Sequence, residues 1–217
     1  IKNTNPMEEK QDEKYIPYDS IQYLNKKKYI DIWGHKLPHW FQENKTVFAT
    51  FRLADSLPKE RIEELRDDIK KMKDGRDNDE CRDARIWKIL EKMEAWLNNG
   101  YGSCCLSDYS LRKVVADALH HYDGKLYTLH SFVIMPNHVH VLLSPLGNMP
   151  VLNSLGKVKS YTAKEINRRK GQTGRVWQHG IFDRLIRDAC DFTAKWDYIA
   201  DNPKKLPKDT FTYYMRK

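Results

Sequence analysis

Apolar and polar positions alternate most clearly between Leu126 and Ser144. Leu126 to Met135 and His138 to Ser144 read as two strands rich in β-branched and aromatic residues, joined through Met135-Pro136-Asn137 as a hairpin. Side chains alternate between the two faces of a strand, so His138, His140 and Leu142 share one face of the second strand and Val139, Val141 and Leu143 the other. Thr46 to Leu53 alternates in the same way and predicts an earlier strand.

The period changes to that of a helix elsewhere. Between Lys59 and Asn99 two highly charged helical stretches, KERIEELRDDIKKMK and DECRDARIWKILEKMEAWL, predict a helical hairpin. In the second of these, Ile86, Ile89, Leu90, Met93 and Leu97 form an apolar stripe. A helix from Asp108 to His121 follows, with Ser107 as a candidate cap and Asp123-Gly124 as its stop. Val151 to Lys170 predicts a second core helix closed by Gly171, roughly Gly180 to Ile186 a last strand, and Ala189 to Ala200 a final helix ending before Asn202-Pro203. Without the helical hairpin the order is strand, helix, strand, strand, helix, strand. That is the α+β, ferredoxin-like split βαβ pattern, an antiparallel sheet with helices on one face and a helical-hairpin insertion at about 59–99. Residues 1–32 read as a polar leader, 33–203 as the domain and 204–217 as a basic C-terminal tail.

Composition narrows the class. No apolar run approaches the roughly 20 residues of a membrane span, and the first residues have no apolar signal core, so a cytoplasmic protein without membrane contact is expected. Cys81, Cys104, Cys105 and Cys190 form no CxxC pair and read as free thiols. The net charge of +8 is concentrated: between Val151 and Arg187 there are nine basic residues against two acidic ones. Such a field suits a polyanion, usually nucleic acid, although a solvated basic surface has the same composition.

The candidate chemistry begins with the histidines. Two imidazoles two residues apart on one strand face can hold a divalent metal ion, or can simply line the polar face of a sheet. His35 and His39 form a second pair, but Pro38 between them argues against the continuous helix that a shared ligand face would need. On the Val151 to Lys170 helix, Val151, Leu155, Val158, Thr162 and Ile166 share an apolar face. Glu165 falls within that stripe and Tyr161 at its edge, with Lys157, Lys164 and Arg168 alongside. A carboxylate on a buried face needs a partner. The spacing therefore suggests a metal bound by His138, His140 and Glu165, with Tyr161 attacking a phosphate to form a phosphotyrosine. The same spacing also fits a half-buried aromatic at a helix–sheet seam for Tyr161 and a surface carboxylate on a slightly rotated helix for Glu165.

These residues resemble a known family. The run MPNHVHVLLSP is similar to the histidine-hydrophobe-histidine signature of IS200/IS605-type single-tyrosine (Y1) HUH transposases, and most closely to the REP-associated tyrosine transposase (RAYT)-like branch. TFRLADSLP, KSYTAKEIN, GRVWQHGIFDRLIRD and YIADNPKK are similar to it as well. The resemblance implies a metal-dependent endonuclease that nicks and rejoins single-stranded or hairpin DNA through a covalent 5′-phosphotyrosine, using Mg²⁺ or Mn²⁺. By position it implies Tyr161 as nucleophile and His138, His140 and Glu165 as metal ligands, acting as a homodimer or a monomer. It also suggests that Asp183 and Arg187 matter. Lys157, Lys164, Arg168, Arg169, Arg175, Arg184 and Arg187 are the candidate DNA-binding residues. A non-catalytic DNA-hairpin-binding protein on the same fold is the alternative.

Overall fold

The computed structural model describes residues 21–29, 31–33, 39–74, 79–147 and 149–217. His35, Pro38 and the first twenty residues lie outside them. Strands β1 (Asp31–Trp33) and β2 (His39–Phe41) form a small antiparallel pair. The main sheet is built from β3 (Val47–Arg52), β4 (Tyr127–Ile134), β5 (His138–Pro145), β6 (Phe182–Leu185) and β7 (Thr212–Met215). Its order is β6-β3-β5-β4-β7, and every neighbouring pair is antiparallel. The first four positions are the ferredoxin-like order that the split βαβ reading expects.

Between the strands lie α1 (Lys59–Asp74), α2 (Asp79–Leu97), α3 (Tyr109–His121), α4 (Val151–Lys170) and α5 (Ala189–Asp201). Asp108 rather than Ser107 caps α3, its side chain accepting from the Ser110 N–H, and Asp188 caps α5 through the Asp191 N–H. Gly171, in the left-handed region at φ 60°, ends α4.

β5 is buried along its whole length, because both faces of the sheet are covered. On one face α3 and α4 pack Val115, Leu119, Leu155, Val158 and Ile166 against Val139, Val141 and Leu143. The other face is covered too. Phe192, Trp196 and Ile199 of α5 pack there with Val133 and Leu142. The α1–α2 hairpin holds its own small core of Leu65, Ile89, Met93, Trp96 and Leu97, with Phe182 of β6 packed against it.

Two segments read as peripheral take part in the sheet layer. Ile21 is buried in the α5 core, and the Leu24 N–H donates to the Ile186 carbonyl at 2.8 Å. Thr212–Met215, from the stretch read as a tail, adds a strand beside β4. Arg112, buried on α3, fastens that end by donating to Thr212 Oγ1 at 3.1 Å and to the Asp209 carbonyl. A four-residue strand with a fixed partner is not visible in composition, which is why a basic tail was the expectation.

Candidate metal and nucleophile site

His138 and His140 lie on the sheet face covered by α5 and α2, and both are 1% exposed. Their ring centroids are 4.7 Å apart. The Glu94 carboxylate of α2 reaches the pair: its Oε1 is 2.9 Å from His140 Nε2 and 3.4 Å from His138 Nε2. Among the described residues these three form a group able to hold a metal ion, with their ligand atoms all within 4.8 Å of one another.

The surroundings fix how the rings present their nitrogens. The Asn137 amide donates to the carbonyls of Leu97 and Tyr101, at 3.1 and 3.3 Å, so its oxygen is the atom that faces His138. That oxygen lies 2.7 Å from His138 Nδ1 and can only accept, so Nδ1 carries the proton. His138 Nε2 is then a lone pair facing a carboxylate oxygen, buried and without a hydrogen bond. A cation between the two relieves that contact. Octahedral ligands at about 2.1 Å from a metal sit about 3 Å from one another when adjacent, which matches the spacing here. His140 Nδ1 is held by Thr50 Oγ1 at 2.8 Å, directly across from it in the β3–β5 register. Both imidazoles therefore have an outer partner of the kind that orients metal ligands. The donor set, two imidazoles and one carboxylate, fits a divalent transition ion such as Mn²⁺.

Electrostatics agree with this grouping. Burial alone would raise the Glu94 carboxyl, but attraction to His140 and the hydrogen bond from it hold it well below the ordinary range. Burial lowers His138, against the pull of Glu94.

Tyr198 of α5 completes the site. Its ring meets His140 edge-on, with centroids 5.2 Å apart, and Phe48 stacks on His140 from β3 at 5.5 Å. The Tyr198 hydroxyl oxygen is buried and makes no hydrogen bond. Burial and the neighbouring Glu94 carboxylate push the phenol upward. Lys195, one turn earlier, places its ammonium 5.5 Å from the Tyr198 ring and 5.1 Å from the Phe48 ring. Burial, with Arg184 near it, pulls Lys195 down to about 8. Arg52 stands opposite His138 in the register, buried, with its Nε unpartnered and its pKa pulled down to about 10 by burial.

Two expected site residues are elsewhere. α4 packs on the face formed by Val139, Val141 and Leu143, so the sheet itself separates Tyr161 and Glu165 from the histidines. Tyr161 is 55% exposed. Glu165 is ion-paired to Arg168 at 2.6 Å and to Arg169 at 2.9 Å, which lower its carboxyl to about 2. The partner that its position in the apolar stripe demanded is thus a pair of guanidiniums on its own helix. Among the candidate DNA-binding residues, Lys157, Lys164, Arg168 and Arg175 are exposed. Arg169 also donates to the Ser110 carbonyl, Arg184 pairs with Asp191 at 2.8 Å, and Arg187 is half-buried at the end of β6.

Sequence reasoning missed Glu94, Tyr198, Arg52 and Lys195. Signals existed for the first two. Glu94 sits between Leu90 and Leu97 beside the apolar stripe of α2, and Tyr198 stands at the head of YIADNPKK, four residues before Asn202.

Comparison with known proteins gives two findings. Residues 106–201 match the family described as "Transposase IS200 like". That stretch includes His138, His140 and Tyr198 and leaves out α2 with Glu94. No curated protein matches the chain. A solved structure described as a REP-associated tyrosine transposase bound to a REP hairpin is similar at 14% identity, with a TM-score of 0.44, over 79% of this chain and 74% of that one. The stretch that matches the IS200-like transposase family, residues 106–201, carries both histidines and the tyrosine that meets them.

Proposed function

We propose that this chain is a divalent-metal-dependent transposase-type endonuclease. In this reading it nicks and rejoins single-stranded DNA beside a hairpin, through a covalent bond to Tyr198. The observation that carries the reading is the arrival of Tyr198 from α5 against His140, in contact with the His138, His140 and Glu94 cluster. Mn²⁺ or Mg²⁺ held by those three residues would polarise the scissile phosphate and neutralise the charge that builds on it.

The chain's own groups supply the rest. The Tyr198 phenol loses its proton and its oxygen bonds to phosphorus while the P–O3′ bond breaks. A 5′-phosphotyrosine forms, and the departing oxygen takes a proton to become a 3′-hydroxyl. Lys195, its ammonium 5.5 Å from the Tyr198 ring and its pKa at about 8, can hold or release a proton near neutral pH. Arg52 offers a buried guanidinium with an open Nε to a phosphate oxygen. Lys157, Lys164, Arg168, Arg169, Arg175, Arg184 and Arg187 supply positive charge along the DNA backbone. All the residues assigned to the reaction come from one chain, so a monomer suffices. The runs MPNHVHVLLSP and YIADNPKK favour the REP-associated branch.

Incubation of the protein with a labelled single-stranded hairpin and Mn²⁺, followed by denaturing electrophoresis, tests this. A protein–DNA adduct is expected for the wild type and for Tyr161→Phe, and none for Tyr198→Phe. An adduct lost only in Tyr161→Phe would return the nucleophile to α4. Binding without any cleavage would favour the non-catalytic hairpin-binding alternative.

A further inference from the structure

The turn from Asn25 to Tyr29, in the stretch read from the sequence as a polar leader, stands at one end of the main sheet. Ile21 and Tyr23 lead into it through the α5 core, on the sheet face that holds the histidines. The Leu24 N–H donates to the Ile186 carbonyl and the Thr46 N–H to the Gln22 carbonyl, both at 2.8 Å, and the Gln22 N–H donates to Thr46 Oγ1 at 3.0 Å. From Ile21 to Tyr29 the chain carries Lys26, Lys27 and Lys28 and no acidic residue. All three lysines are exposed, and Tyr29 is 85% exposed beside them.

A buried amide holds the turn in shape. Gln42, just after β2, accepts from the Asn25 N–H through Oε1 at 2.7 Å and donates through Nε2 to the carbonyls of Asn25 and Tyr29, at 2.9 and 3.4 Å. Within the turn, the Lys27 N–H donates to Asn25 Oδ1 and the Lys28 N–H to the Asn25 carbonyl, each at 3.0 Å. Three like charges are thus kept together on a backbone fixed before any ligand arrives, which lowers the cost of binding. The adjoining turn adds Lys45 and one carboxylate, Glu43. Burial, and then the charge of Lys28, lower the Lys45 ammonium, so the two lysines share one positive field.

Lysine ammoniums are point charges on flexible stems that bind phosphates without reading bases, and a tyrosine hydroxyl is a further phosphate donor. With its side chains exposed, the turn encloses no slot for an unpaired base. A duplex backbone, with one charge per about 1.7 Å of axis, is the dense polyanion that such a cluster fits. Its place in the fold agrees. Thr46, at the base of the turn, and Thr50, which holds His140, are four residues apart along extended chain, a distance of about 13 Å. That is the length of about four base pairs. A stem whose foot lies at the metal site can therefore reach the turn with its own backbone.

We propose that the Asn25 to Tyr29 turn, through Lys26, Lys27 and Lys28, grips the phosphate backbone of the hairpin's duplex stem at about four or more base pairs from the cleavage point. This rests on the reading of the chain as one that cuts DNA beside a hairpin, and deepens it by giving the stem a place on the protein. The turn adds affinity for the stem and no choice of sequence.

The test measures, by fluorescence anisotropy, the affinity of the full chain for a long-stemmed oligodeoxynucleotide hairpin with a single-stranded flank. Chelator is present so that no cleavage occurs. Lys26→Gln, Lys27→Gln and Lys28→Gln combined should weaken binding about tenfold at low salt and make the slope of log affinity against log salt shallower by about two to three, at about 0.9 per phosphate lost. Lys59→Gln, Lys70→Gln and Lys71→Gln combined remove the same charge from exposed positions of α1 and should change neither. Uncharged methylphosphonates placed about four to eight base pairs from the flank should weaken the wild type about tenfold and the Lys26 to Lys28 variant not at all. A variant that binds as the wild type does overturns the proposal, as do an equal loss in the α1 control and methylphosphonate losses that add to those of the variant. Adduct formation with Mn²⁺ is read separately. An adduct without this coupling removes the stem site alone, and the coupling without an adduct removes the cleavage reading alone.

Discussion

The Asn137 amide donates to the Leu97 carbonyl at 3.1 Å, tying the residue before the histidine pair to the last turn of the helix that carries Glu94. The same side chain accepts from His138 Nδ1. One amide thus sets the tautomer of one candidate metal ligand and the position of the helix supplying another. Asn137→Asp keeps the acceptor and loses both donations to Leu97 and Tyr101. Its affinity for Mn²⁺, measured by calorimetric titration, should fall about 10- to 100-fold. Wild-type affinity in this variant would mean that the hairpin helices are placed independently of Asn137.

Glu94 and Glu165 make opposite predictions about the same titration. Glu94→Gln removes the carboxylate that lies 2.9 Å from His140 Nε2 and should weaken Mn²⁺ binding by at least about tenfold. Glu165→Gln alters only a pairing with Arg168 and Arg169, and should leave the metal affinity unchanged. The reverse result would move the third ligand back to α4.

His130 gives the fold a pH dependence. It is fully buried, and burial with Arg216 nearby lowers its pKa from 6.5 to about 4. The fold therefore favours neutral imidazole. The resulting stability is complete above the unfolded value of 6.5 and is lost as pH falls toward 4, because the unfolded chain takes up the proton first. At pH 5 the loss from this group is about 2 kcal/mol. Urea unfolding at pH 7.5 and 5.0 should show a drop in the wild type larger by about that amount than in His130→Gln. Equal drops in the two proteins would show that His130 does not couple protonation to folding.

The C-terminal strand should carry stability. Truncation after Pro207 removes β7, uncovers the edge of β4 and deprives buried Arg112 of Thr212 and the Asp209 carbonyl. Arg112 keeps its bonds to the Leu106 and Ser107 carbonyls. The two lost hydrogen bonds of a buried guanidinium and an open strand edge together cost about 2 kcal/mol or more, and the open edge invites self-association. Thermal unfolding with light scattering reads both effects. A truncated chain with unchanged melting and no scattering would reduce β7 to a dispensable addition.

Local chemistry carried much of this protein's structure in its sequence. The limits of α4 and α5, the hairpin turn at Pro136-Asn137 and the shared face of His138 and His140 all follow from periodicity, capping residues and the two-residue repeat of a strand. The element order also implied the ferredoxin-like sheet, because its connections leave few ways to pair the strands.

Only the tertiary structure decided which helix meets the histidines. A helical wheel finds the buried stripe of α4, but it does not say which sheet face that stripe covers. Here the Val139, Val141 and Leu143 face took α3 and α4, and the histidine face took α5 and α2. Glu165 found its charge partners at i+3 and i+4 instead of across the sheet. Glu94 lies 46 positions before His140, on a helical hairpin whose docking rests on contacts such as Leu57 and Phe182 that no local period encodes. Side-chain periodicity fixes a face within an element. The pairing of faces between elements is set by packing and burial over the whole chain, and that pairing made Tyr198 the tyrosine beside His140.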